Sequence, residues 1–494
     1  MSVRRSTVAF SLFTFLALTA AMSFAAVPGV LRVDDTNPRW VANDDNKALV
    51  MTGSHHWHVY QDYETETFDW AGFQSRVDGL GHTFYRGWTW EDTHFDPPLY
   101  EKSGSLYDLT DVNHSGWTAT SGQLRSRVKK ARGKGLYTSV MFFQGWSTWD
   151  FNGLRNDDPW DANPYNENNN INGIDGDFVS GLPQGQETHE DRSESMSNSI
   201  TALQEDYVQF VVGKLKGFAN VVWEVSNESP SGTNFRKWQN TMVDAIWTTD
   251  SSHLIMISCQ TSSGSALTTL SQMLAMNSRA KVIAPCKESG QGFEIGSGDV
   301  TNPEAAPGDR IRVADSDHLG ALDVIDDPLW AWKYFLRGYH PLFMDLTYKE
   351  PDWWAGARWT ETDSRYDDIA DSLGIIAAVA DDVDLRSLVP QNRNATTPVK
   401  RIGKKKKTFA LYSTSSPGAG LGQTADGVEY VALEPTGSKT IKVCKLTNGS
   451  DYSYEWLNPY TGSVVESGSR FNVTNCQEFD NPDNKGRVLH VARQ

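Results

Sequence analysis

Residues Asn220 to Pro230 read NVVWEVSNESP. From Val221 to Val225 every residue except Glu224 is apolar or aromatic, the composition of a strand buried on both faces in a parallel sheet. The run stops at Asn227-Glu228 and turns away through Ser229 and Pro230. A carboxylate carried to the end of such a strand is costly unless it is solvated, paired or used. For a lone Glu the solvated loop is the ordinary outcome, so its meaning depends on what surrounds it.

Outward from this stretch, short apolar runs alternate with amphipathic ones. KALVMTGSHHW (47–57), HTFYRGWTWED (82–92) and LYTSVMFFQGW (136–146) read as three strands before it. HLIMISCQTSS (253–263), AKVIAPCKESG (280–290), RIRVADSDH (310–318) and HPLFMDL (340–346) read as four after it. Helical spacing appears in FDWAGFQSRVDGLG (68–81), ITALQEDYVQFVVGKLKGF (200–218), FRKWQNTMVDAIWTTD (235–250) and DPLWAWKYFLRGY (327–339). SGQLRSRVKKARGKG (121–135) reads as a helix stopped by Gly135. Eight strands, most of them separated by helices, predict an α/β fold, a closed parallel (β/α)8 barrel. An open doubly wound sheet would want a glycine-rich phosphate loop after its first strand, and TGSHHWHVYQD is not one.

The N-terminal stretch holds Arg4 and Arg5, an apolar run from Val8 to Ala21 and the small-x-small triplet Ser23-Phe24-Ala25. That is the plan of a secretory signal peptide over 1–25, too short in its apolar part for a transmembrane anchor. The expected domains are the barrel over 26–390, a linker over 391–407 ending in Lys404–Lys407, and a small antiparallel β-sandwich over 408–494. Cys259, Cys286, Cys444 and Cys476 fall as two separate pairs, making 259–286 and 444–476 the economical disulfides of a secreted or periplasmic protein. Sequons begin at Asn113, Asn394, Asn448 and Asn472, and a fifth, at Asn227, is discounted because a glycan there would block the strand end. A net charge of −17 argues against general nucleic-acid binding.

In a barrel, Glu228 sits at the catalytic, C-terminal face. The seventh strand brings Asp315 and Asp317 there, on one side of the strand because side chains repeat every second residue. Two carboxyl groups across a pocket are what glycoside hydrolysis requires, one to protonate the leaving oxygen and one to attack the anomeric carbon or activate water. Asn227 is placed to contact a substrate hydroxyl.

The Asn-Glu pair resembles the acid/base signature of the clan A glycoside hydrolases. Six ordered stretches carry the likeness further: TGSHHW…QD, RGWTWE, SVMFFQGW, NPYNENNNINGIDGD, ADSDHLG and WAWKYFLRGYHPLFMD. Together they resemble secreted apiosidase-like barrels, and ADGVEYVALEPTGS…YEWLNPYTG resembles the small sandwich of those proteins, often labelled collagen-binding. The resemblance implies that Glu228 is the acid/base, that a strand-seven carboxylate is the nucleophile of a retaining reaction, and that Arg86 steadies it. Asp replaces the usual Glu on that strand; Asp317 is favoured and Asp315, lying deeper, would orient it or bind a hydroxyl.

Further pocket residues are expected at strand ends: His55, His56, Glu91, His318 and Asp345 as hydroxyl partners, with Trp57, Trp88, Trp90 and Trp146 divided between packing and sugar platforms. The His55/His56/His58 cluster lacks the further ligands a metal needs. The Asn-rich loop fails the calcium-loop pattern, because Val179 stands where a bidentate Glu is required. No cofactor is called for. Two rivals keep the barrel: an inactive carbohydrate-binding protein, and an inverting enzyme with its carboxyl groups about 6.5–9.5 Å apart instead of about 5–5.5 Å.

Overall fold

The computed structural model describes residues 27–149, 155, 157–182, 184–230, 232–258, 270–285, 302–319, 326–345, 364–393, 395–402, 408–437 and 439–494. Eight parallel strands form the barrel: β1 (Gly53–His55), β2 (Phe84–Tyr85), β3 (Tyr137–Gln144), β4 (Val221–Asn227), β5 (Ile255–Ser258), β6 (Val282–Ala284), β7 (Ile311–Asp315) and β8 (His340–Met344). Neighbours in sequence are neighbours in the sheet from β2 to β8, and β8 pairs back with β1. A parallel bridge between His56 and Gly87 closes the ring.

Helices α1 (Trp70–Gly79), α2 (Gln123–Gly133), α3 (Ser195–Leu215), α4 (Thr233–Thr249), α5 (Leu270–Ala275), α6 (Trp330–Phe335) and α7 (Ser364–Asp382) follow their strands. Asp69 caps α1 by accepting from Gly72 N at 2.9 Å, satisfying one of the backbone donors orphaned at a helix start. Gly135, at φ +76°, turns the chain out of α2 into β3.

Strand alternation divides the barrel into an outer and an inner face. Val221, Trp223 and Val225 of β4 face outward and pack with helix residues such as Val211, Trp238 and Ile246. Val222 joins Phe84, Tyr137, Met256, Val282, Ile311 and Leu342 in a separate apolar floor. Further up the same inward rows stand Arg86, Ser139, Glu224, Ser258 and Asp315, all buried. The polar layer on which the site is built thus follows from period two in strands whose outer faces are largely apolar, Thr138 and Arg312 being exceptions.

The C-terminal part has a six-stranded antiparallel sheet. Its strands are β9 (Leu388–Pro390), β11 (Phe409–Ser413), β12 (Glu429–Glu434), β17 (Arg487–Arg493), β14 (Tyr452–Leu457) and β15 (Val464–Arg470), in that spatial order. A three-stranded sheet of β10 (Val399–Arg401), β13 (Ile441–Cys444) and β16 (Cys476–Phe479) completes the sandwich. Phe409, Leu411, Val431 and Leu433 pack onto α6 and α7 of the barrel. Ala410, Tyr412, Tyr430 and Ala432, on the other face, pack against Val399, Ile441 and Phe479. Cys444 and Cys476 form a disulfide between paired positions of β13 and β16. Its sequence separation of 32 removes enough unfolded-chain entropy to contribute about 3–4 kcal/mol.

Three readings change. The stretch expected as a linker carries β10, and sheet pairing begins at β9, so strand structure starts before the expected sandwich boundary. Ala48–Leu49, read as part of the first barrel strand, instead pairs antiparallel with Val41–Ala42 in a small N-terminal sheet. A hairpin of Tyr100–Ser103 and Leu106–Val112 fills the connection between β2 and α2, where no strand was expected. Cys259, Cys286, Asn394, Lys404–Lys407 and residues 1–25 lie outside the described residues. Among the described residues no helix is long and apolar enough to cross a membrane.

Candidate active site

Arg86 is the hub of the barrel mouth. Its Nε donates to Glu224 Oε1 at 2.8 Å, Nη1 to Asp315 Oδ2 at 3.1 Å, and Nη2 to Asn227 Oδ1 at 2.8 Å. Asp317 Oδ2 stands 3.7 Å from Nη1. Burial alone would weaken the guanidinium's hold on its proton, but Glu224 and Asp315 reverse that and keep it charged. Glu224 is held further by Ser139 Oγ at 2.9 Å and Ser258 Oγ at 2.7 Å. Trp88 lies under the guanidinium, 5.2 Å from its ring centroid.

The two strand-seven carboxylates differ in surroundings. Asp315 has no exposed surface, and its oxygens are occupied: Oδ1 faces His55 Nε2 at 2.9 Å and accepts from Asp317 N at 3.0 Å, while Oδ2 takes Arg86. Burial opposes its charge, but His55 and Arg86 outweigh burial and hold it below the ordinary carboxylate range. Asp317 keeps 14% of its side chain exposed, and its Oδ2 has no hydrogen-bond partner among the described residues. Burial, then the charges of Glu228 and Asp315, push its pKa well up against the pull of Arg86.

Glu228 follows β4 with φ +45°, a left-handed conformation that a non-glycine residue adopts at a cost of order 1–3 kcal/mol. Its carboxyl accepts from Trp146 Nε1. Its pKa is raised by burial, with Asp315 adding to the effect and Trp146 and Arg86 opposing it. The charge of Glu228 thus bears on Asp317, and with both carboxyls raised the site holds a proton into a pH range where isolated carboxyl groups have lost theirs.

The backbone at Glu228 requires Gly145. A Cβ on Gly145 would fall 2.0 Å from the Glu228 carbonyl oxygen, with no flexible side chain to yield. Gly145→Ala should displace the carboxyl and lower kcat by about 10²-fold, the usual cost of an ångström of misplacement. Steady-state kinetics beside a thermal melt checks this.

Other expected pocket residues divide. His318 lies in the site, with Nε2 2.7 Å from Asn227 Oδ1, and burial followed by Arg86 pushes it down to about 3, so it is neutral. Asn227 is enclosed by Arg86, His318 and Gln144, so its amide orders the network and does not stand open to a hydroxyl. Trp146 is partly exposed, whereas Trp57, Trp88 and Trp90 are buried. Trp90 stacks on Phe95 at 4.2 Å, and His56 stacks between Trp57 and Phe68, which makes both packing groups. Asp345 is buried beside Arg76, whose Nε donates to it at 3.2 Å. Glu91 is buried too: it accepts from Gln144 N at 3.0 Å and faces His189 Nε2 at 3.0 Å, behind the pocket. Among the described residues no group of His, Cys, Asp and Glu could hold a metal ion. The Asn-rich loop closes on itself through Asn170, which donates to the carbonyls of Pro164, Asn166 and Ile174.

Sequence reading passed over Glu224, Gln144, Ser258 and His189. Glu224 had a signal, since it is the one charged residue in an apolar strand and lies on the inward row with Val222 and Ser226.

No protein-family model matches the chain, and no curated protein matches it. Solved structures do. One described as a glycoside hydrolase aligns over 95% of this chain and 98% of its own at 13% identity and a TM-score of 0.59. A glycoside hydrolase family 5 structure from Bacteroides vulgatus aligns over 95% of both chains at 12% identity and a TM-score of 0.62. At such identities the likeness is one of fold: a (β/α)8 barrel followed by a smaller β part.

Proposed function

We propose that the protein is a secreted glycoside hydrolase that cleaves O-glycosidic bonds of a polysaccharide or its side chains with retention of configuration. The observation that carries the reading is the Glu228–Asp317 pair: two carboxyls at the ends of β4 and β7, with Asp317 Oδ2 3.7 Å from the buried Arg86 and the charge of Glu228 raising the Asp317 pKa. Around them, Asp317 Oδ2, His318 Nδ1, His55 Nδ1 and Trp88 Nε1 are buried polar atoms with no hydrogen-bond partner among the described residues. Buried polar atoms are rarely left so, and sugar hydroxyls are suited to pair with them.

In the first step Asp317 attacks the anomeric carbon as the glycosidic C–O bond breaks, and Glu228 gives its proton to the departing oxygen. In the second, Glu228 takes a proton from water, whose oxygen displaces the Asp317 carboxylate and frees the sugar. Arg86 stabilises the carboxylate that leaves, and Asp315 fixes the Asp317 backbone through the bond from Asp317 N. The reacting state needs the charge on Asp317 and the proton on Glu228. Burial and the charge of Glu228 favour a proton on Asp317, so Arg86, 3.7 Å from Asp317 Oδ2, is the group that must hold the charge there as the proton moves to Glu228. Likeness to the apiosidase-like group, the signal-peptide pattern and the disulfide support secretion and a carbohydrate substrate.

Hydrolysis of a panel of polysaccharides and aryl glycosides, with the first-formed product followed by NMR, tests the reading. Retention of the anomeric configuration is expected. An inverted first product would sink the covalent role of Asp317.

A further inference from the structure

A chain of buried groups runs behind Glu228, and the two-carboxylate mechanism makes no use of it. Ser229, the residue after Glu228, has its Oγ 2.9 Å from His189 Nδ1. The other nitrogen of that ring, Nε2, lies 3.0 and 3.1 Å from the two oxygens of Glu91. All three side chains are buried: Glu91, His189 and Ser229 show no exposed surface worth a contact with solvent. The His189 ring is clamped, stacked on Trp238 at 4.9 Å with the edge of Phe143 at 5.6 Å. A serine, a histidine and a carboxylate in series suggest a nucleophile, but a hydroxyl enclosed in this way has no room for a carbonyl to approach it.

Where the chain ends gives it a different meaning. At Ser229 it grips the backbone immediately after the left-handed Glu228. At Glu91 it grips the turn that follows β3, because Gln144 N donates to Glu91 Oε2 at 3.0 Å and Glu91 N donates to Ser147 Oγ at 3.0 Å. Between Gln144 and Ser147 lie Gly145, against which the Glu228 carbonyl packs, and Trp146, which donates to the Glu228 carboxyl. Glu91 thus reaches Glu228 from both sides, through Trp146 on one and through His189 and Ser229 on the other. A strained residue persists only where its surroundings over-determine it, and this chain supplies that determination from three separate segments.

We propose that Glu91, His189 and Ser229 are positioning residues for the acid/base, holding the Glu228 carboxyl at the angle needed to deliver its proton. The inference rests on the acid/base reading of Glu228. It also assigns a purpose to the long excursion between β3 and α3, which brings His189 back beneath the site in the short helical turn Gln186–His189.

The test separates proton delivery from general damage. Proton delivery matters for a poor leaving group such as phenol and hardly at all for 2,4-dinitrophenol, which departs as a stable anion. The probes are phenyl and 2,4-dinitrophenyl glycosides of one sugar, chosen from a panel of common hexoses and pentoses, with kcat/KM as the readout because it reports the bond-breaking step. Ser229→Ala should lose about tenfold or more on the phenyl glycoside while staying within about threefold of wild type on the dinitrophenyl one. Glu91→Ala should show the same split or a larger one. Glu91→Gln, whose amide still bonds His189 in its other tautomer, should restore most of the loss. Should Glu91→Ala fail to fold, Ser229→Ala decides alone. An equal loss on both substrates, or no loss on either, overturns the proposal. Glu228→Gln assayed in parallel guards the premise: without its own leaving-group dependence, the acid/base reading fails, whereas a strong dependence there with none in Ser229→Ala fails only the positioning role.

Discussion

Glu228→Gln should lower kcat/KM on unactivated substrates by about 10²–10⁴-fold, the range that general acid catalysis supplies, and leave the fold intact. The amide keeps the shape of the carboxyl and can still accept from Trp146 Nε1, so the left-handed backbone and the packing against Gly145 remain satisfied. What is lost is the proton. The pH profile carries a second signature. Burial raises the Glu228 pKa, and Asp315 adds to it, so wild-type activity should persist until that proton leaves and then fall. In the variant this descending limb should disappear. Kinetics on phenyl glycosides across pH, beside a thermal melt, measures both effects. Full activity in the variant would return Glu228 to the status of an ordinary strand-end residue.

The barrel was legible because parallel strands announce themselves as apolar runs, and all eight were placed from such runs. Their ends were less legible. Ala48–Leu49 has the composition of a barrel strand but pairs in the N-terminal sheet, because short apolar runs do not specify a partner. β10 was hidden in a basic stretch, where pairing with β13 outweighs a composition poor in strand formers. In the site, Asn227, Asp315 and Asp317 could be proposed from strand-end position, since those positions face the mouth in any such barrel, whereas the role of Arg86 rested on the family resemblance. Glu91 and His56 shared that position and yet turned away from the pocket. Whether a strand-end side chain faces a substrate or the layer behind it depends on partners contributed by distant segments, such as His189 for Glu91 and Phe68 for His56. A single sequence does not register those meetings. Fully buried tryptophans posed the same problem: Trp90 is a core ring stacked on Phe95, indistinguishable by sequence from the partly exposed Trp146.

The two aspartates of β7 offer the sharpest division of labour, because removing each charge should move stability in opposite directions. Asp317→Asn should remove activity by about 10⁴-fold or more, on the scale of losing a covalent nucleophile, yet the variant should melt at or above the wild-type temperature near neutral pH. Burial and the neighbouring charges of Glu228 and Asp315 raise the Asp317 pKa, so the folded protein prefers this group protonated. A raised acid pKa contributes stability that is present at low pH and lost as pH climbs through the folded-state value; the neutral amide escapes that loss, and its advantage should vanish in acid. Asp315 behaves in the reverse sense. His55 and Arg86 hold its pKa down against burial, so its charge contributes stability above the unfolded-state pKa that is lost as pH falls. Asp315→Asn would leave a buried guanidinium short of a partner, a change that costs about 3–5 kcal/mol when one member of a buried pair is removed. Its melting temperature should therefore drop at neutral pH, with any loss of activity following from disorder around Asp317 N and Arg86. Thermal melts of the two variants from pH 4 to pH 8, with activity measured on the same preparations, separate nucleophile from anchor. If Asp315→Asn kept its stability and lost all turnover, while Asp317→Asn stayed active, the roles would have to be exchanged: the attacking oxygen would be the one held by Arg86 and His55, and Asp317 would be a hydroxyl-binding residue at the pocket rim.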